Sequence, residues 1–138
     1  MAQLEKVIYT GKTRTSGGRD GTSRSSDGRL DVRLSSPGTP GTGTNPEQLL
    51  AAAWSACLIS AIKREAVRAK VPVPESMVIE AEVDLATVGG ANLLRARLNI
   101  SLPGLAPNAA RALVDAAHQA CPFSTATRGN IDVAINVL

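Results

Sequence analysis

At 138 residues the chain has the size of one ordinary domain, and its 43% hydrophobic and 20% charged residues make a globular composition rather than a disordered one. One Trp, one Tyr and one Phe exclude an aromatic platform for single-stranded nucleic acid, and a net charge of +3 without a dense run of like charges argues against nucleic acid as a partner. No window approaches the roughly 18 consecutive apolar residues of a membrane span, and residues 1–10 carry Glu5 and Lys6 where a signal peptide needs an apolar run. The expectation is a cytoplasmic chain with no membrane contact. In that compartment a pair of cysteines is more often catalytic or metal-binding than a structural staple.

The alternation of apolar and polar residues predicts a first strand over residues 4–13, turn chemistry at residues 16–21, where glycines accept positive φ, and a second strand over roughly 22–26. Ser26-Asp27-Gly28 is a hairpin signal, after which Leu30, Val32 and Leu34 alternate with Asp31 and Arg33 as a half-buried strand. Residues 37–43 read as a loop. They lack the Gly-Lys-Ser/Thr ending of a phosphate-cradling loop, and Gly11-Lys12-Thr13 has Lys6 where that motif needs its first Gly. A helix starts at Asn45, a residue suited to capping, with Pro46 in the first helical position, Glu47 complementing the positive end of the dipole and Gln48 where a capping box wants it. It is expected to run to about Lys70. It is apolar almost all round over residues 49–62, the pattern of a helix buried on every side.

Two long strands follow, over about 76–88 and 93–102, joined at Gly89-Gly90-Ala91-Asn92; then a helix from about 108 to Ala120, a break or kink at Cys121-Pro122, and a last strand over 131–138. Three strands, helix, two strands, helix, strand is an α+β order with mostly antiparallel sheet and two main helices, in a single domain spanning residues 1–138. The first helix, roughly 26 residues and roughly 39 Å long, is hard to cover from one small chain, and a dimer that shares the burial is the natural solution.

Few side chains offer chemistry. Cys57 lies within Trp54-Ser55-Ala56-Cys57-Leu58-Ile59, and on its own it reads as a small buried hydrophobe. Apolar surroundings raise a thiol pKa, so a reactive Cys57 needs a cation from outside its own helix, for which the arginines of the N-terminal hairpins are the candidates. Cys121 precedes Pro122 at a helix end and is open to a packing reading too. His118 would complete a His-Cys-Cys metal set with both cysteines, but no CxxC or HxxxH core supports it; a place on the exposed side of its helix is the plainer expectation. Arg19 reads equally as an exposed hairpin charge and Glu47 as a helix-dipole residue.

Together these residues are more specific. Leu4-Glu5-Lys6-Val7-Ile8-Tyr9-Thr10, Gly17-Gly18-Arg19-Asp20-Gly21, Gly43-Thr44-Asn45-Pro46-Glu47-Gln48-Leu49 with the Ala-rich run to Cys57, and Cys121-Pro122-Phe123-Ser124-Thr125-Ala126-Thr127-Arg128-Gly129-Asn130-Ile131-Asp132-Val133 resemble the organic hydroperoxide resistance (Ohr) branch of the OsmC/Ohr family over essentially the whole chain. Two positions depart from its pattern: Trp54 stands where a smaller aromatic or Gly is expected, and Phe123 where Tyr is frequent.

The resemblance implies an intertwined homodimer with long helices between sheets, and a thiol-dependent peroxidase acting on organic hydroperoxides. It maps Cys57 to the peroxidatic cysteine, Cys121 to the resolving cysteine that closes a disulfide with it, Arg19 to the catalytic arginine and Glu47 to its carboxylate partner. It implies no cofactor and no metal, and a dithiol reductant carried by lipoylated proteins. An apolar wall of Leu and Ile would favour alkyl or fatty-acid substrates over hydrogen peroxide. The competing readings are a broader OsmC-type peroxidase and a non-catalytic small-molecule binding domain that keeps its cysteines for packing. Glu47 and Cys57 are ten residues apart on one helix, about 15 Å of rise and roughly 80° around the axis. Glu47 would therefore act through Arg19 or from the other subunit, which expects the active site at the dimer interface.

Overall fold

The computed structural model describes residues 3–138. The chain forms two compact units, one ending at Pro46 and one running from Glu47 to Leu138. The first holds an antiparallel sheet in the order β1 (Thr13–Ser16), β2 (Thr22–Ser25), β3 (Asp31–Arg33). A single 3-10 turn, Gly18–Asp20, joins β1 to β2. It is entered through Gly17 at φ 76°, in the left-handed region that favours glycine, and a Cβ on Gly21 would collide with the carbonyl oxygen of Ser16. The tight glycine spacing around Arg19 is thus a backbone requirement of this turn. The β2–β3 turn is held by Asp27, whose carboxylate accepts from the Arg29 amide at 3.0 Å and from the Ser25 hydroxyl.

The first strand differs from its expectation. Residues 4–10 belong to no strand; pairing begins only at Thr13. Leu4, Val7, Ile8 and Tyr9 are exposed, Ile8 at 92%. Their alternation is a sheet pattern, but a strand exists only where a neighbouring edge supplies its hydrogen bonds.

The second unit contains α1 (Pro46–Ala69), β4 (Val78–Val88), β5 (Ala91–Ser101), α2 (Pro107–Ala120), α3 (Pro122–Thr127) and β6 (Asp132–Val137). β4 and β5 form an antiparallel hairpin closed by Gly89 and Gly90, both at positive φ, as a two-residue turn with the strand twist demands. β6 lies parallel to β5, with Arg95 opposite Asp132, and α2 and α3 provide the crossover a parallel pair needs. Ala96, Leu98 and Ile100 of β5 face inward and pack with Trp54, Leu58, Ala61 and Ile62 of α1 and Ala110, Val114 and Ala117 of α2. On the outer face Arg97 reaches both Glu82 and Asp84 at 2.7 Å, and Arg95 reaches Asp84 at 2.7 Å. These two guanidinium groups hold the Asp84 carboxyl well below the usual carboxylate range. Opposite charges in register fix the pairing, because a slip of one residue would turn the charged row into the core.

Within one chain, α1 is covered on one face only. Burial is confined to the stripe Trp54, Leu58, Ala61, Ile62 and Ala66, while Ala52, Ala53, Ala56 and Val67 remain exposed. One chain covers one face of an apolar helix, as the helix length argued. Among the described residues no helix is long and apolar enough to cross a membrane.

Candidate functional site

Cys57 sits at mid-helix in α1 and is half-buried. Cys121 lies where α2 ends and α3 begins and is fully buried. Its amide still closes α2 by donating to the Ala117 carbonyl at 2.8 Å. Pro122 then has no amide to continue that ladder and occupies the first position of α3 instead. This change of direction turns the Cys121 side chain toward α1. The two thiols, 64 positions apart, meet at an Sγ–Sγ distance of 3.3 Å. Both cysteines are free. A disulfide needs about 2.05 Å, so roughly 1.3 Å of approach separates the pair from a covalent bond.

The electrostatics of Cys57 are opposed. Burial pushes its thiol up from the ordinary value, and the thiol–thiol hydrogen bond with Cys121 adds to that; the backbone amide of Phe123 and the charge of Arg64 pull the other way. Burial prevails. Arg64, seven residues on, lies on the same helix as Cys57, so one favourable cation comes from within α1 and not only from outside it. Phe123 lacks a side-chain hydroxyl, but its amide at the start of α3 interacts with the Cys57 sulfur.

Beneath the thiols Trp54 and Ser124 are both fully buried, and the indole Nε1 donates to the Ser124 hydroxyl at 3.1 Å. Sequence reasoning passed over Ser124 and Arg64. The available signal was spacing: Trp54 is three residues before Cys57 and Ser124 three residues after Cys121, so each shares a helical face with its cysteine.

Arg19 lies half-buried in the 3-10 turn of the first unit, and Glu47 half-buried in the first turn of α1. His118 is not on the exposed side of α2. It is half-buried, its Nδ1 is shielded from solvent and, among the described residues, has no hydrogen-bond partner. Burial lowers its pKa, and the neighbouring Arg128 guanidinium reinforces that. Among the described residues no group of three or more His, Cys, Asp or Glu side chains comes together as a metal site.

An α+β unit whose central helix presents one cysteine to another at a helix junction defines a thiol-pair site. The family model for OsmC-like proteins matches residues 17–136. The organic hydroperoxide resistance protein of Xanthomonas axonopodis pv. citri (strain 306) is 44% identical over 141 residues, covering 99% of each chain. The crystal structure of the organic hydroperoxide resistance protein OhrB of Bacillus subtilis superposes with a TM-score of 0.90 at 36% identity, covering 96% of this chain and all of that one. That of an organic hydroperoxide resistance protein from Legionella pneumophila superposes with a TM-score of 0.89 at 40% identity, covering 96% and 98%. The chain belongs to the OsmC-like family and, within it, to the organic hydroperoxide resistance branch.

Proposed function

We propose that this protein is a thiol-dependent peroxidase that reduces organic hydroperoxides to alcohols. The observation that carries the reading is the 3.3 Å contact between Cys57 and Cys121 in a chain of this family. The Cys57 thiolate attacks the distal oxygen of the hydroperoxide; the O–O bond breaks, the alkoxide takes a proton and leaves as alcohol, and Cys57 becomes a sulfenic acid. The Cys121 sulfur then attacks the Cys57 sulfur, a disulfide forms and water leaves. This protects Cys57 from further oxidation. A small-molecule or protein-bound dithiol restores both thiols and is itself oxidised; we assign that role to lipoylated proteins.

Because burial pushes the Cys57 thiol pKa up, the reaction needs a cation at the sulfur. Arg19 is the proposed source. It stabilises the thiolate and donates hydrogen bonds to the peroxide oxygens, and Glu47 holds its guanidinium. A second copy of the chain accounts for what one copy leaves uncovered, namely the exposed apolar side chains Leu4, Val7, Ile8 and Tyr9 and the open faces of α1. The active unit is proposed to be a homodimer in the cytoplasm with its sites at the interface.

The test is steady-state turnover of tert-butyl hydroperoxide with dihydrolipoamide as reductant. Turnover is expected in the wild type and absent in Cys57→Ser. Equal activity in both proteins, or none in either, contradicts the reading.

A further inference from the structure

The buried pair Trp54–Ser124 lies one helical turn from the two cysteines. Trp54 and Cys57 are three residues apart on α1, about 4.5 Å along the axis. Ser124 and Cys121 are three apart at the start of α3, in the opposite sense. The contacts between α1 and the α3 start therefore form two adjacent rungs, Sγ–Sγ at 3.3 Å and Nε1–Oγ at 3.1 Å. We propose that Trp54 and Ser124 are positioning residues that clamp α1 to α3 and thereby set the oxidation equilibrium of the Cys57–Cys121 pair. The proposal rests on reading that pair as redox-active.

Both side chains have no solvent exposure, and Ser124 is the only fully buried polar side chain among the described residues. The indole has one N–H donor, fully buried, and it donates to the Ser124 hydroxyl. Sliding α1 against α3 would leave that donor without a partner, which is costly. The clamp therefore keeps the thiols from drifting apart. Closing the disulfide requires only about 1.3 Å of sulfur movement, small enough for the clamp to persist in both redox states. It does not oppose oxidation; it removes dithiol conformations in which the sulfurs are out of reach. The equilibrium concerned is two thiols plus an oxidised dithiol giving the protein disulfide plus the reduced dithiol, a transfer of two electrons and two protons.

The experiment equilibrates wild type, Trp54→Phe, Ser124→Ala and the double variant in buffers of reduced and oxidised dithiothreitol. The disulfide fraction is read by alkylation and mass spectrometry, and folding is checked by circular dichroism. Each single variant is expected to shift the equilibrium about tenfold toward the dithiol, making the pair about 30 mV more oxidising. The double variant should shift no further, since both singles break the same hydrogen bond. Should Ser124→Ala fail to fold, Trp54→Phe, which keeps a ring in the core, carries the test. Folded single variants with the wild-type equilibrium, or shifts that add in the double variant, overturn the clamp while leaving the redox reading intact. A wild-type pair that forms no reversible disulfide in any buffer overturns the redox reading and the clamp with it.

Discussion

Oxidation should raise the thermal stability of this protein by an amount set by the chain length between its cysteines. The two residues are 64 positions apart. In the chain-entropy model, cross-linking a loop of that length removes unfolded-state entropy equivalent to roughly 4 kcal/mol at 25 °C. Bringing the sulfurs together from 3.3 Å costs part of that in rearrangement, so a net gain of about 2–4 kcal/mol is expected. For a chain of 138 residues, an unfolding entropy of about 2.1 cal/mol/K per residue converts 1 kcal/mol into roughly 3.5 °C, so Tm should rise by roughly 7–14 °C. Calorimetric scans of the fully reduced protein and of protein treated with one equivalent of hydroperoxide measure this directly. The rise should be absent in Cys121→Ser. An oxidised form no more stable than the reduced one, or the same rise in Cys121→Ser, refutes the reasoning from the thiol geometry.

Arg19→Ala should shift the pH profile of Cys57 alkylation to higher pH, slowing alkylation near neutrality and converging with wild type in alkali; identical profiles would remove Arg19 from the site. Leu58→Ala deletes a fully buried side chain at the centre of the α1 stripe and should cost about 2–5 kcal/mol in denaturant unfolding. His118 has a folded-state pKa below its ordinary value, so the unfolded chain binds the proton more readily. Its contribution to stability is therefore complete above about pH 6.5 and is lost as pH falls through the folded value; the Tm of wild type should drop more between pH 7 and 5 than that of His118→Gln. If the sites are shared between subunits, mixing Cys57→Ser with Glu47→Ala should restore activity, whereas no restoration would place both residues in one chain.

Local periodicity carried most of the second unit. The alternation Glu80, Glu82, Asp84 against Ile79, Ala81, Val83 marks a two-faced strand, and the Asn45-Pro46-Glu47 start and the Cys121-Pro122 break place the helix ends within a residue or two of Pro46 and Ala120. Periodicity gave less where an outcome depends on a partner surface. Residues 4–10 have the pattern of a strand but no edge to pair with among the described residues of one chain, and α1 is apolar on faces that one chain does not bury. His118 was misplaced because a helical stripe has a margin. Ala110, Val114 and Ala117 are buried, and His118 falls four residues after Val114, at the edge of the same face.

The site was legible as a set of residues and not as an arrangement. Cysteine chemistry and the family motifs single out Cys57 and Cys121, but a contact across 64 positions is a product of the tertiary fold. The Trp54–Ser124 bond, across 70 positions, is another. The opposed influences on the Cys57 thiol were half visible. Apolar neighbours announce the upward push; the Phe123 amide and Arg64 act through geometry that only the folded chain supplies.

Peptide mapping of the fully reduced protein after one equivalent of tert-butyl hydroperoxide tests the central claim most directly. The account predicts an intramolecular Cys57–Cys121 disulfide formed in step with one equivalent of alcohol, and in Cys121→Ser a sulfenic acid trapped on Cys57. Disulfides found only between chains, or hydroperoxide consumed with both thiols still free, would contradict it.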